Sequence, residues 1–142
     1  CRTSMGSRQL RRWLAQPLLD LPKIGERQQA VEALRSHRPR LEELQRELAS
    51  ITDLERLAGK IATLRVNARD LIGAARGLAA SERVGQILTT TGDDLLVRLA
   101  ASLGGLSELA APIEVLLVES PPLSVRDGGL IKPGSDARIV EL

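Results

Sequence analysis

Aliphatic side chains recur along this chain at spacings of three and four residues, and that period fixes most of what the chain can become. Leu41, Leu44, Leu48 and Ile51 are the clearest run. Such spacing lines up side chains on one face of an α-helix, whereas a half-buried strand alternates every second residue. Leu54, Leu57, Ile61 and Leu64 repeat the pattern, as do Leu71, Ala75 and Leu78, then Leu95, Leu99, Leu103 and Leu106, then Leu109, Ile113 and Leu116. The chain has almost no aromatic residues to mix into these faces: Trp13 is the single one, with no Phe or Tyr. A core made of Leu, Ile, Val and Ala suits interlocking helices. The expected fold class is therefore all-α. At 142 residues the chain is one domain's worth of material. A chain of that size buries roughly 68–70% of the surface it exposes when unfolded, enough for a real core.

Starts and stops agree with the period. Thr3 or Ser4 caps a first helix carrying Met5, Leu10, Trp13 and Leu14, with Trp13 expected as a core anchor. Pro17 ends that helix, because the residue before proline is pushed out of helical geometry. Asp20 caps the second, with Pro22 in its tolerant first turn and Ile24, Val31 and Leu34 on one face. Pro39 marks the third start. Thr52-Asp53-Leu54-Glu55 has the form of a capping box, with Thr52 as cap and Glu55 reaching back. Asn67 caps the next helix, and Asp70 sits near its positive end. Thr91-Gly92-Asp93 reads as a break and restart, and Gly104-Gly105 as a kink or split.

The character changes at Ser120-Pro121-Pro122. Leu123-Ser124-Val125-Arg126 alternates like a half-buried strand, Asp127-Gly128-Gly129 is a turn, and Leu130-Ile131-Lys132 is the return strand. The expected organisation is a helical part over 1–122, one short β-hairpin over 123–134, and the start of a further helix over 135–142. Ser135 or Asp136 would cap that helix, with Ala137-Arg138-Ile139 in its first turn. A two-stranded hairpin and so short a helix are marginal alone, so the chain reads as part of something larger.

Cys1 has no partner for a disulfide, and with His37 alone it cannot build a zinc site. There is no second histidine for a catalytic triad. Asp93-Asp94 are adjacent, so on a helix they point apart, and a cap beside a solvated carboxylate is expected. Gly128, Gly129, Lys132 and Gly134 lack the spacing of a phosphate-binding loop. No catalytic, cofactor-binding or metal-binding residue is expected in this chain. No apolar run approaches the ~20 residues of a membrane span, and no export signal is visible, which points to a cytoplasmic protein without membrane contact. The formal charge is +2, modest for a dedicated nucleic-acid domain. The first helix is locally basic, through Arg8, Arg11 and Arg12 with Arg2 before them. Those three arginines are the candidate contacts to a DNA phosphate or to a neighbouring domain. The alternative is a solvated face, or ion pairs with acidic helices such as the one bearing Glu42, Glu43 and Glu47.

Several segments, in order, resemble the core domain of the MutS family of DNA mismatch-repair proteins. Thr3-Ser4-Met5-Gly6-Ser7-Arg8-Gln9-Leu10-Arg11-Arg12-Trp13-Leu14-Ala15-Gln16-Pro17-Leu18 is similar to the family's T-x-M-G-x-R-x-L-x-x-W-L-x-x-P-L stretch. Ile24 with Arg27, then Ala30-Val31-Glu32 and Leu34, follows. Asp53-Leu54-Glu55-Arg56-Leu57 with Lys60-Ile61 resembles D-L-E-R-L, and Arg69-Asp70-Leu71 the start of the next family helix. Asp127-Gly128-Gly129-Leu130-Ile131-Lys132-Pro133-Gly134 is similar to the family's D-G-G-x-I-x-x-G hairpin. The stretch from about Ala79 to Leu109 matches least.

The resemblance implies a helical core from which lever helices run to a DNA clamp, the first of them starting within 135–142 and the clamp following Leu142. It implies an ATPase domain elsewhere that holds ATP and Mg. It also implies a bacterial, DNA-associated homodimer that binds mismatched double-stranded DNA and recruits MutL. The family's mismatch-reading Phe-x-Glu has no counterpart here, since the chain has no phenylalanine. Two alternatives stay open at this point. One is the core of a MutS paralogue acting in recombination or on branched DNA. The other is a free-standing helical interaction module, which would expose no apolar face.

Overall fold

The computed structural model describes residues 1–135. Among the described residues seven α-helices follow one another: α1 Ser4–Ala15, α2 Leu21–Arg35, α3 Arg38–Ser50, α4 Leu54–Ala62, α5 Ala68–Thr89, α6 Asp94–Ala101 and α7 Leu106–Leu116. Local chemistry sets most of their starts. Thr3 Oγ1 accepts from the Gly6 amide, Asp20 from Lys23 and Asp93 from Leu96, so each satisfies a donor that the first turn leaves over. Asn67 and Asp70 form a reciprocal capping box at the start of α5. Gln16, just before Pro17, closes α1. Gly92, at φ 73°, and Gly105, at φ 74°, supply the left-handed residues between α5, α6 and α7.

The molecule is organised around α5. It packs most extensively against α7, then α6 and α3, and also against α4. Its buried residues, among them Ile72, Ala75, Ala80, Val84 and Leu88, point in several directions around the helix. Ala74, Ala75, Gly77, Ala80, Ser81 and Gly85 are small, so neighbouring backbones come close. A Cβ placed on Gly85 would lie 3.2 Å from Leu103 Cβ and 3.3 Å from the Ala100 carbonyl oxygen. Ser81 is buried and donates to the Gly77 carbonyl at 2.8 Å. The principal core joins Ala30 of α2, Leu44 of α3, Val84 and Leu88 of α5, and Leu96 and Ala100 of α6.

Tertiary contacts override local expectation in several places. The cap of α4 is Asp53, which accepts from Arg56, and not Thr52. The Thr52 hydroxyl instead donates to the Gly73 carbonyl of α5 at 3.2 Å, and Glu55 turns toward α1. Ile61 and Leu64 lie outside the core. Leu64 has φ 54° and closes α4: its amide donates to Ile61 and that of Arg65 to Lys60, the Schellman pattern usually closed by glycine. In α2 Ala30 faces inward while Val31 is exposed, and in α6 Leu96 and Ala100 replace Leu99 as buried residues.

The hairpin expected over 123–134 does not form. Val125–Asp127 is a single 3-10 turn, with the Ser124 hydroxyl accepting from the Arg126 amide, and Leu123 and Val125 stay exposed. The expected return strand finds another partner. An isolated antiparallel bridge joins Ile131 to Leu117 at the end of α7. There the Val118 amide donates to Leu130 at 3.0 Å and the Lys132 amide to Leu116 at 2.9 Å. The reason lies upstream. Pro121 is fully buried, and its carbonyl accepts from Arg69 Nε at 2.7 Å, which pins the chain before the expected first strand can align. The Ser135 hydroxyl donates back to the Lys132 carbonyl. The helix expected from Ala137 onward lies outside the described residues.

Candidate functional site

The candidate site is the basic face of α1 and whatever it meets. Arg8 meets carboxylates. Its Nη1 and Nη2 donate to the two oxygens of Asp53, each at 2.8 Å, and its Nε donates to Glu55 at 3.0 Å. Arg8 Nη2 contacts Glu55 as well. Ser4 Oγ adds a bond to Asp53 at 2.9 Å. This fork-to-fork geometry suits a guanidinium and is charge-assisted. The pairing holds the Asp53 carboxyl well below the usual carboxylate range, first through its hydrogen bond to Arg8. It also raises the Arg8 guanidinium further above its own range, first through Asp53.

Asp53 thus serves twice, accepting from the Arg56 amide as the cap of α4 and from α1 as an anchor. The acidic partners expected for the basic helix were Glu42, Glu43 and Glu47. The structure supplies Asp53 and Glu55 instead, residues whose sequence pattern predicts a local capping box. Nothing local could reveal that pairing, because 45 residues separate Arg8 from Asp53. Glu42 pairs with Arg38 and Glu47 with Arg83 instead.

Arg11 and Arg12 stand apart from this cluster. Both are exposed, and among the described residues neither has an acidic partner within ion-pair distance. By their spacing of three and four residues the three candidate arginines share one side of α1, but only Arg8 is engaged by carboxylates; Arg11 and Arg12 lie about a turn further on and are exposed. Trp13 is not the buried anchor expected of it. It is 42% exposed, with the Arg27 guanidinium 3.9 Å from its ring centroid. Around it Pro17, Leu18, Ile24 and Val31 line an open apolar groove between α1 and α2.

The remaining polar groups are occupied structurally. His37 Nδ1 accepts from the Arg40 amide and caps α3. Asp93 caps α6, and Asp94 is exposed beside it. Lys60 Nζ donates to both oxygens of Asp70, at 2.8 and 2.9 Å, which lowers the Asp70 carboxyl through that bond first. Glu82 of α5 accepts from the Ser107 amide at 3.1 Å, and its carboxyl is lowered first by the Ser107 side chain and to a lesser degree by that amide. Among the described residues no buried side-chain polar atom lacks a partner, and no cluster of His, Cys, Asp or Glu is placed to hold a metal ion. An open groove of about 690 Å³ between α3 and α5 mixes Arg40, Arg46 and Arg83 with Glu43 and Glu47. No single helix among the described residues is long and apolar enough to cross a membrane.

These features define a helical scaffold, in which side-chain charge joins helix to helix and caps helix ends. The chain belongs to the MutS family: the family model described as MutS domain III matches residues 1–140. It is 42% identical over 141 residues to the DNA mismatch repair protein MutS of Acaryochloris marina, covering 99% of this chain and 16% of that protein. It is 40% identical over 131 residues to the MutS of Nostoc punctiforme, covering 92% of this chain and 15% of that protein. The MutS of Listeria monocytogenes is 39% identical over 137 residues, with 96% and 16% covered. The chain thus spans about a sixth of the length of the curated relatives it matches.

Proposed function

We propose that this chain is the mechanical core of a DNA mismatch-repair MutS protein, linking its ATPase domain to its DNA clamp. The observation that carries the proposal is the burial of α5, a 22-residue helix enclosed by four others. A densely packed rod of this kind responds to a push by discrete displacement rather than by soft bending. Displacement at one end of α5 therefore reaches α7 and the bridge that joins Leu117 to Ile131. ATP with its Mg belongs to another domain of the full-length protein. Mismatched duplex DNA and MutL are partners of that whole protein, a homodimer in the bacterial cytoplasm.

The exposed aliphatic residues support a role inside a larger assembly. Leu99, Leu109, Val115 and Leu116 of α6 and α7, and Leu10, Leu14 and Val31 of α1 and α2, stand at the surface. In a larger protein these residues are where contacts with its other parts would form. The family match, more than the exposure, weighs against a free-standing module. The names of the relatives favour mismatch repair over a role on branched DNA.

Leu57 in α4 is buried, so it offers a test. In the full-length protein, Leu57→Pro should leave mismatch binding in place, slow ATP-triggered release, and remove a weakening of DNA affinity by ATP of roughly 5- to 150-fold, the usual span of a coupling free energy. Leu57→Ala should act in the same direction by less. Release at the normal rate in both variants overturns the proposal.

A further inference from the structure

Helix α1 is attached to the molecule in a different way from the other helices. None of its residues is buried, and it packs closely against no other helix. The principal core contains no α1 residue. Three polar contacts hold it instead. Arg2, just before α1, donates to Gln45 of α3 at 2.7 Å. Ser4 and Arg8 grip Asp53 and Glu55 at the start of α4. Trp13 lies under Arg27 of α2.

We infer that α1 is a detachable arm, held to the α2–α7 body by the Arg8–Asp53–Glu55 latch, and that it leaves without unfolding that body. Three observations carry this. The latch is reached by water: the Arg8 and Glu55 side chains are 46% and 67% exposed, and Asp53, the more sheltered member, 23%. Exposed ion pairs are individually weak and are screened by salt, so docked and released states lie close in free energy. Nothing beneath α1 depends on it, because the core closes among α2, α3, α5 and α6. Once released, a 12-residue helix is too short to persist in water, so undocking and melting of the arm go together. Release is thus a local opening, distinct from global unfolding. It converts the stretch before α2 from a fixed strut into a flexible tether. The inference stands independently of the proposed coupling role.

Hydrogen exchange of the 142-residue chain, read by segment, tests it. Raising NaCl from about 0.05 to about 0.5 M should speed exchange of the α1 amides by about tenfold. Those of Ile72–Leu88 should change by less than about twofold. Arg8→Gln at low salt should reproduce that pattern without added salt. Asp53→Asn keeps a competent cap for α4 while removing the charge, and should move α1 in the same direction. Arg11→Gln should leave α1 exchange as it was. If salt and Arg8→Gln both leave α1 protected, the latch does not hold the arm. If α1 and α5 accelerate together in the unsubstituted chain, the arm is part of one cooperative unit, and the inference falls even where Arg8→Gln fails to fold.

Discussion

Replacing glycine by alanine inside a helix ordinarily stabilises it by roughly 0.5–1 kcal/mol, because alanine loses less backbone freedom on folding. Three helical glycines here should depart from that baseline in a graded way. Gly59 in α4 has no atom within 4 Å of an added Cβ, so Gly59→Ala should gain the full amount. At Gly77 the new methyl would sit 3.0 Å from Leu54 Cδ2, the mobile end of a leucine, and 3.3 Å from Thr52 Oγ1. Leu54 can rotate away, so gain and strain nearly cancel. At Gly85 the neighbours are Leu103 Cβ and the Ala100 carbonyl, atoms fixed to the end of α6, and they cannot move without shifting that helix. Overpacking of this sort costs about 1–3 kcal/mol. Set against the propensity gain, Gly85→Ala should be destabilised by about 0–2 kcal/mol, which places it about 1–3 kcal/mol below Gly59→Ala. Urea unfolding followed by far-ultraviolet circular dichroism resolves that gap, and melting temperatures should differ by roughly 4 °C per kcal/mol. If Gly85→Ala gains as much stability as Gly59→Ala, α5 and α6 are not in close contact, and the argument for a rigid rod loses its footing.

Leu64 is 91% exposed at φ 54°, so Leu64→Gly should remove backbone strain at little cost in packing and raise stability by about 0.5–1 kcal/mol in the same urea assay. Asn67→Ala should lower stability by about 1 kcal/mol through loss of the α5 capping box, and Asn67→Ser should restore most of it. Asp20, Asp53, Asp70 and Glu82 all have lowered carboxyls. Their stabilisation is complete above the ordinary carboxylate range and disappears as pH falls through the depressed values. Urea midpoints should therefore hold steady between about pH 5 and 8 and decline below about pH 4, and Asp70→Asn should flatten that decline. In the full-length protein, Arg11→Ala with Arg12→Ala should reduce the salt dependence of duplex binding by about 1–2 in logarithmic slope if both meet phosphates; an unchanged slope removes them as contacts.

The helix starts were legible because their signals are local. Thr3, Asp20, Asn67 and Asp93 each act on an amide within three residues, well inside what a sequence window contains. The errors arose where a distant atom competed. Thr52 and Asp53 are both competent caps, and the choice falls to Asp53 because the Gly73 carbonyl claims the Thr52 hydroxyl. In α6 the stripes through Leu95 and Leu96 are equally plausible by period, and packing against α5 and α2 decides between them. The alternation at 123–126 was genuine in sequence, yet a strand needs a partner, and residues 130–132 had already found theirs at the end of α7. For the candidate site the basic residues could be read directly. That Arg8 is engaged while Arg11 and Arg12 stay exposed depends on where α4 begins in space.

Helix α7 begins without a cap of its own. Gly105 has no side chain to offer, so Glu82 reaches across from α5 to the Ser107 amide. Pro112 removes a further internal donor from the same helix. A segment that borrows its first acceptor from a neighbour and lacks a link in its own ladder is a poor nucleus. The consequence is a one-way dependence: α7 draws the acceptor for its first turn from α5, so whatever loosens Glu82 loosens α7 and the bridge at Leu117 with it.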